Sequence, residues 1–218
     1  MIKMTKSKPR IGISLRVVNE ERYDEKRDAL SQEWTFIMEK LDAFPILIPN
    51  TLSDVISFLE SMELDGLILS GGGNIGDNSE RDQTEKKIIE FGISNNLPIF
   101  GVCRGMQVLN KYFGGTIVRT TNSEHVGKPH SVSLTNEKFA SFLNTDSLKV
   151  NSFHYNIIKK DDLGKNLKIF ALSNDDSIEG FIHEKFPIQA VMWHPEREPN
   201  NFNKLILKKF FQEKAFWK

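Results

Sequence analysis

Short apolar runs alternate with amphipathic stretches through the first half of this chain, and that alternation leaves few folds open to it. Ile11 to Leu15, Pro45 to Ile48, Gly66 to Leu69 and Ile99 to Val102 have the length and bulk of buried strands. Between them, segments near Ser31 to Lys40, Ser53 to Ser61 and Gln83 to Asn95 place apolar residues at helical spacing, and a further helical stretch, Gly105 to Phe113, follows the fourth run. Alternation of this kind, closed by right-handed crossovers, gives a parallel sheet covered on both faces. The second half changes rhythm. Thr116 to Arg119, Ser131 to Leu134, Leu167 to Leu172, Ser177 to His183 and Ile188 to Met192 are strand-like with short connections, which suggests antiparallel pairs. The expected class is therefore α/β: an open, mostly parallel central sheet flanked by helices, with an antiparallel extension in the C-terminal half. No linker rich in Ser, Gly or Pro and no internal repeat divides the 218 residues, so residues 1–218 are read as one domain.

Charge and cysteine usage narrow the partners. The 29 basic and 29 acidic residues leave no net charge to attract nucleic acid. No run approaches the roughly 18 apolar residues of a membrane span. One cysteine excludes an intramolecular disulfide, and the basic stretch Met1 to Arg10 lacks the apolar core of a signal peptide, so a cytoplasmic protein is expected, with neither nucleic acid nor membrane as partner. Lys204, Lys208, Lys209, Lys214 and Lys218 interleave with apolar residues as on a helix with a solvated basic face. Nothing in the sequence sets an oligomeric state.

The single cysteine, Cys103, stands at the end of the fourth run, in Gly101-Val102-Cys103-Arg104-Gly105-Met106-Gln107. It falls on a strand-to-helix corner whose flanking glycines permit a sharp turn. Such a corner sets the sulfur in front of the positive end of the next helix, which favours a thiolate. A lone cysteine is more often a small buried hydrophobe; the glycines, Arg104 and Gln107 argue for chemistry. In open α/β sheets ligands bind beyond the carboxyl ends of the strands, so the loops after Leu15, Leu69, Val102 and Met192 are the informative ones. After Leu69 comes Ser70-Gly71-Gly72-Gly73-Asn74, which has neither a Gly-Lys-Ser/Thr ending nor Gly-x-Gly-x-x-Gly spacing and is no nucleotide fingerprint. It is either a plain turn or, with the amide of Arg104, an oxyanion hole. After Met192 comes Trp193-His194-Pro195-Glu196, which offers a general base and a carboxylate to orient it, with Pro195 stiffening the turn between them.

Four other histidines compete with His194. His183 lies in a strand-like stretch and is read as structural or surface. His125 and His130 share the polar segment Asn122 to His130, but with no second cysteine the ligand count falls short of a metal site, and no metal or cofactor is expected. His154, within Asn151-Ser152-Phe153-His154-Tyr155-Asn156, is a candidate for the wall of a substrate pocket.

Taken together, these residues resemble the triad class (class I) of glutamine amidotransferase domains. Cys103-Arg104-Gly105-Met106-Gln107 with His194-Pro195-Glu196 is similar to their free-standing γ-glutamyl hydrolase branch, which contains γ-glutamyl-γ-aminobutyrate hydrolase. The likeness covers nearly the whole chain, with further matches at Phe44-Pro45-Ile46-Leu47-Ile48-Pro49, Asp65-Gly66-Leu67-Ile68-Leu69-Ser70-Gly71-Gly72, Arg81-Asp82 with Glu85, Asn151-Ser152-Phe153-His154 and Ser177-Ile178-Glu179. Two stretches depart from it: Asp175-Asp176-Ser177 stands for an expected Asp-Gly-Ser, and Tyr155-Asn156 for a common His-Gln, which bears on the leaving group. The resemblance implies a class I glutamine amidotransferase-like fold and hydrolysis of a small-molecule γ-glutamyl amide. Cys103 would attack the carbonyl, His194 would move the proton and Glu196 would orient it, while the Gly72 and Arg104 amides hold the oxyanion. Gly71, Gln107 and the Ser152-Phe153 backbone would grip the glutamyl unit. Arg16, Arg81 and Lys128 either meet an anionic leaving group or, as surface basic residues more often are, are simply solvated. Two alternatives are a glutaminase subunit that hands ammonia to a synthase, and a non-enzymatic protein with Cys103 as an oxidisable thiol, for which His194-Pro195-Glu196 is surplus.

Overall fold

The computed structural model describes residues 8–121, 125–198 and 201–214. Residues 1–7 of the basic amino terminus, Asn122 and Lys218 lie outside the described residues. The chain begins with β1 (Arg10–Ser14), β2 (Arg16–Glu20), β3 (Glu25–Ala29), α1 (Glu33–Lys40), β4 (Phe44–Ile48) and α2 (Val55–Ser61). It continues with β5 (Gly66–Leu69), α3 (Ser79–Ser94), β6 (Ile99–Val102), α4 (Arg104–Tyr112), β7 (Val118–Arg119), β8 (His130–Leu134) and α5 (Glu137–Leu143). The last elements are β9 (Ser147–Val150), β10 (Asn156–Ile157), β11 (Leu167–Ser173), β12 (Ile178–His183), β13 (Ile188–Val191) and α6 (Asn201–Lys208). No helix among the described residues is long and apolar enough to cross a membrane.

The central sheet runs β4-β1-β5-β6-β13-β12-β11-β8-β9. Neighbours are parallel from β4 to β13 and antiparallel from β13 outward to β9, so the mostly parallel half and its antiparallel extension are both present. Because side chains alternate across a strand, β5 and β6 feed two cores. Ile68, Phe100 and Val102 join Trp34, Ile37 and Phe210 on one face. Leu67, Leu69 and Ile99 join Val55, Ile88 and Met106 on the other. A strand buried on both faces reads as an unbroken apolar run, which is why these strands were plain in the sequence.

Departures from expectation have local causes. α3 begins at Ser79 rather than Gln83 because the Asn78 side chain accepts from the Arg81 N–H at 2.8 Å, and Glu80 and Asp82 sit in the first turn at the positive helix end. The β2–β3 hairpin was unmarked: its strands are largely exposed and polar, without apolar alternation. The last strand-like run is both things at once. β13 pairs antiparallel with β12 and parallel with β6, joining the two halves of the sheet.

Candidate active site

The site lies where parallel neighbours end. In the β6–β13 register Val102 faces Val191, and in β5–β6 Leu69 faces Gly101. Cys103, His194 and Gly71 are one to three residues beyond those positions, so the sheet order brings them together although the sequence scatters them.

Cys103 has φ 50° and ψ −103°, a conformation that a non-glycine residue holds only when its surroundings enforce it. Its N–H donates to the Val191 carbonyl at 2.9 Å, and its own carbonyl accepts from the Gln107 N–H at 3.2 Å, starting the helix. The thiol makes no capping bond. Gly105 is required by close approach: a Cβ there would lie 2.1 Å from the Leu69 carbonyl oxygen.

His194 follows β13. Its Nδ1 donates to Glu196 Oε1 at 2.7 Å, and both residues are buried. Asn151 holds the histidine's backbone on both sides, donating from Nδ2 to its carbonyl at 2.9 Å and accepting its N–H at 2.8 Å. Burial alone would push this imidazole down. Hydrogen bonds and charge from Cys103 and Glu196 override it and carry His194 up to about 9, so the ring is protonated at neutral pH.

The glycine loop is clamped from below. Gly71 lies against the histidine: a Cβ there would be 2.8 Å from His194 Cε1. Arg81 donates to the carbonyls of Ser70 at 2.9 Å, Gly71 at 3.2 Å and Gly72 at 2.5 Å, and through Nε to Glu85 at 3.0 Å. The Arg104 guanidinium pairs with Glu85 and Asp82. Arg81, expected to face a leaving group, is instead buried and committed to the loop. Lys128 is exposed and does not line the cavity, whereas Arg16 lies beside Gly72.

A cavity of about 250 Å³ opens over the thiol, walled by Gly72, Gln107, Phe153, His154 and Asn156, with Arg197 at its rim. Gln107 Oε1 accepts from Asn156 Nδ2 at 3.4 Å, and Arg197 stacks 4.3 Å from the Phe153 ring centre. Gly71 lies in the adjoining crevice with Arg16. Ser152 does not line the cavity. Its hydroxyl donates to the His125 carbonyl at 2.7 Å and its carbonyl accepts from the Gly127 N–H at 2.8 Å, so its polar groups are spent on the loop behind the wall. Arg197, Asn151 and Asn156 were not singled out as site residues from sequence; for Asn151 and Asn156 the cue was the polar segment around His154, and Arg197 had none beyond following Glu196.

The remaining histidines separate. His183 is structural, its Nδ1 accepting from the Lys185 and Phe186 N–H groups at 3.0 Å each. His154 is pushed down to about 4 by burial, with Glu179 opposing and His125 and His130 adding. His125 and His130 are not alone: the fold gathers His125 with His154 and Glu179, and His130 faces the second carboxylate oxygen of Glu179.

A thiol on a strained strand-to-helix corner, beside a carboxylate-bound imidazole at the carboxyl edge of a parallel sheet, defines a class of amidotransferase-like cysteine hydrolases. The chain belongs to the Peptidase C26 family, whose model matches residues 9–196. It is 37% identical over 208 residues to the γ-glutamyl-CDP-amidate hydrolase of Campylobacter jejuni, covering 92% of this chain and 96% of that protein. It is 31% identical over 164 residues to the glutamine-hydrolyzing GMP synthase subunit of Pyrococcus abyssi, covering 75% of this chain and 82% of that one. Its fold matches a glutamine amidotransferase from Thermotoga maritima with a TM-score of 0.69 at 16% identity, over 95% of this chain and 98% of the other.

Proposed function

We propose that this protein hydrolyses a γ-glutamyl amide whose leaving group is a nucleotidyl amidate, converting γ-glutamyl-CDP-amidate to CDP-amidate and glutamate. The observation that carries the reading is the placement of Cys103 and the His194–Glu196 pair on adjacent strand ends beneath one cavity. The Cys103 sulfur bonds to the γ-carbonyl carbon while the Gly72 and Arg104 amides receive the developing oxyanion. As that intermediate collapses, the C–N bond breaks and His194 gives its proton to the departing nitrogen. Water then yields a proton to His194 and adds to the thioester carbon. Cleavage of the C–S bond releases glutamate and returns Cys103 and His194 to their starting state. Arg197 at the rim and Arg16 beside Gly72 supply charge for a diphosphate, and the exposed Phe153 and Tyr155 rings offer faces for a base. The likeness to the Campylobacter hydrolase supports the same leaving group.

The second reading, a glutaminase subunit feeding a synthase, is favoured by the likeness to the GMP synthase component of Pyrococcus abyssi. Glutamate release from glutamine, γ-glutamyl-γ-aminobutyrate, a folate polyglutamate and γ-glutamyl-CDP-amidate separates the two. The purified chain alone is expected to prefer the nucleotidyl amidate over glutamine by at least about 100-fold in kcat/KM, with no turnover in Cys103→Ala. Preference for glutamine, or turnover that persists in Cys103→Ala, would overturn the proposal.

A further inference from the structure

Behind the cavity wall, and apart from the catalytic pair, lies a buried group of imidazoles around one carboxylate. Glu179, on β12, is fully buried, and neither of its carboxylate oxygens accepts a hydrogen bond among the described residues. His125 Nδ1 lies 3.8 Å from Oε1, His154 Nε2 lies 3.7 Å from the same oxygen, and His130 Nε2 lies 3.5 Å from Oε2. A buried carboxylate stripped of water and given no donor is costly to maintain.

The outer hydrogen bonds of two of these rings fix what their inner nitrogens can offer. His125 Nε2 is 2.9 Å from a carboxylate oxygen of Asp175, and His154 Nδ1 is 3.0 Å from the Asn156 carbonyl. Both partners are acceptors, so each ring spends an N–H outward, and in the neutral imidazole the nitrogen turned toward Glu179 then carries a lone pair. His125 Nδ1 and His154 Nε2 are both buried without a hydrogen-bond partner. Lone pairs converging on a carboxylate repel it unless a cation lies between them. The spacing fits one: ligands about 2.0–2.1 Å from a tetrahedral zinc ion stand about 3.3–3.4 Å from one another, close to the 3.7 and 3.8 Å that separate the two nitrogens from Glu179 Oε1, and the three ligand atoms all lie within 4.8 Å of one another. The Asp175 carboxylate behind His125 is the supporting partner that metal-bound imidazoles commonly have.

We propose that His125, His154 and Glu179 form a zinc site that fastens the wall of the substrate cavity to β12. Nitrogen ligands with one carboxylate suit zinc over calcium or magnesium, which take oxygen. Three protein ligands leave a fourth position to a water or to a small shift of His130, whose Nε2 lies 3.5 Å from Glu179 Oε2, and the ion takes no part in the proposed chemistry at Cys103. Its effect is mechanical: His154 lines the cavity, and the His125 carbonyl accepts from the Ser152 hydroxyl and the His154 N–H.

The test uses the full chain carrying Cys103→Ala, so that no thiolate competes for metal, stripped with a chelator and then titrated with zinc or with cobalt(II). One zinc per chain should remain after gel filtration, and the cobalt form should show the visible absorption of a four-coordinate nitrogen and oxygen site. Asp175→Asn should weaken zinc binding about 10–100-fold, and His125→Asn should weaken it further. Zinc content near zero, or a cobalt spectrum without those bands, overturns the proposal, and both are read on a chain with every proposed ligand intact. Zinc affinity unchanged in a folded His125→Asn chain overturns it as well.

Discussion

Backbone strain in the site is concentrated at Cys103, held at positive φ between a hydrogen bond to β13 and the first turn of α4. Gly105 keeps that corner against β5. Gly105→Ala would drive a Cβ into the Leu69 carbonyl, and the fixed backbone cannot yield cheaply. The expected loss is about 3 kcal/mol or more, in the range reserved for overpacking and backbone clash, measured by urea denaturation. Glu196 acts on the same centre electrically. His194 sits above its ordinary value, so its proton is lost on the alkaline side, and kcat/KM should fall as pH rises through about 9. Glu196→Gln removes one of the charges that hold the proton, which should move that alkaline limb to lower pH by about 1 unit or more. A pH profile whose limb stays in place would remove Glu196 from this role. These residues were legible because each carries its own context: glycines around Cys103, a proline and a carboxylate after His194. What the Ser152 side chain does was not legible, since the atom that accepts from its hydroxyl, the His125 carbonyl, lies in a different segment of the chain.

Between elements, one buried ionic network ties α3, α4 and the glycine loop together. Arg81 and Arg104 converge on Glu85, which also accepts from the Ser14 hydroxyl at 3.0 Å at the end of β1. Glu85→Gln leaves two buried guanidinium groups short of a counter-charge. It should cost about 3–5 kcal/mol, read as a lower denaturation midpoint, and should slow amide hydrolysis in the folded fraction because the carbonyls gripped by Arg81 belong to the loop proposed to hold the oxyanion. The helices themselves were plain in the sequence by their spacing. Their ends were not, since the Asn78 cap of α3 depends on one side-chain bond, and nothing in the sequence announced that Arg81 would turn inward onto Ser70, Gly71 and Gly72.

Across the molecule, the C-terminal segment closes the core on one face of the sheet. Phe210 packs edge-on against Phe100 of β6, the strand that leads into Cys103, with ring centres 5.3 Å apart. Phe210→Ala should cost about 3–5 kcal/mol, and a thermal melt that leaves the midpoint unmoved would contradict this packing. The class of fold was readable from alternating runs, but strand order was not: pairing is chosen by burial on both faces among distant segments, and no local pattern says that the last strand enters beside the sixth. The insertion of β13 between β6 and β12 has a consequence in time. A ribosome delivers the amino-terminal half first, so β6 and its thiol emerge while the imidazole and its carboxylate are still unmade. Until Ile188–Val191 has been synthesised, the nascent chain lacks the strand that brings His194 and Glu196 to Cys103, so the proposed catalytic group can be complete only near the end of synthesis.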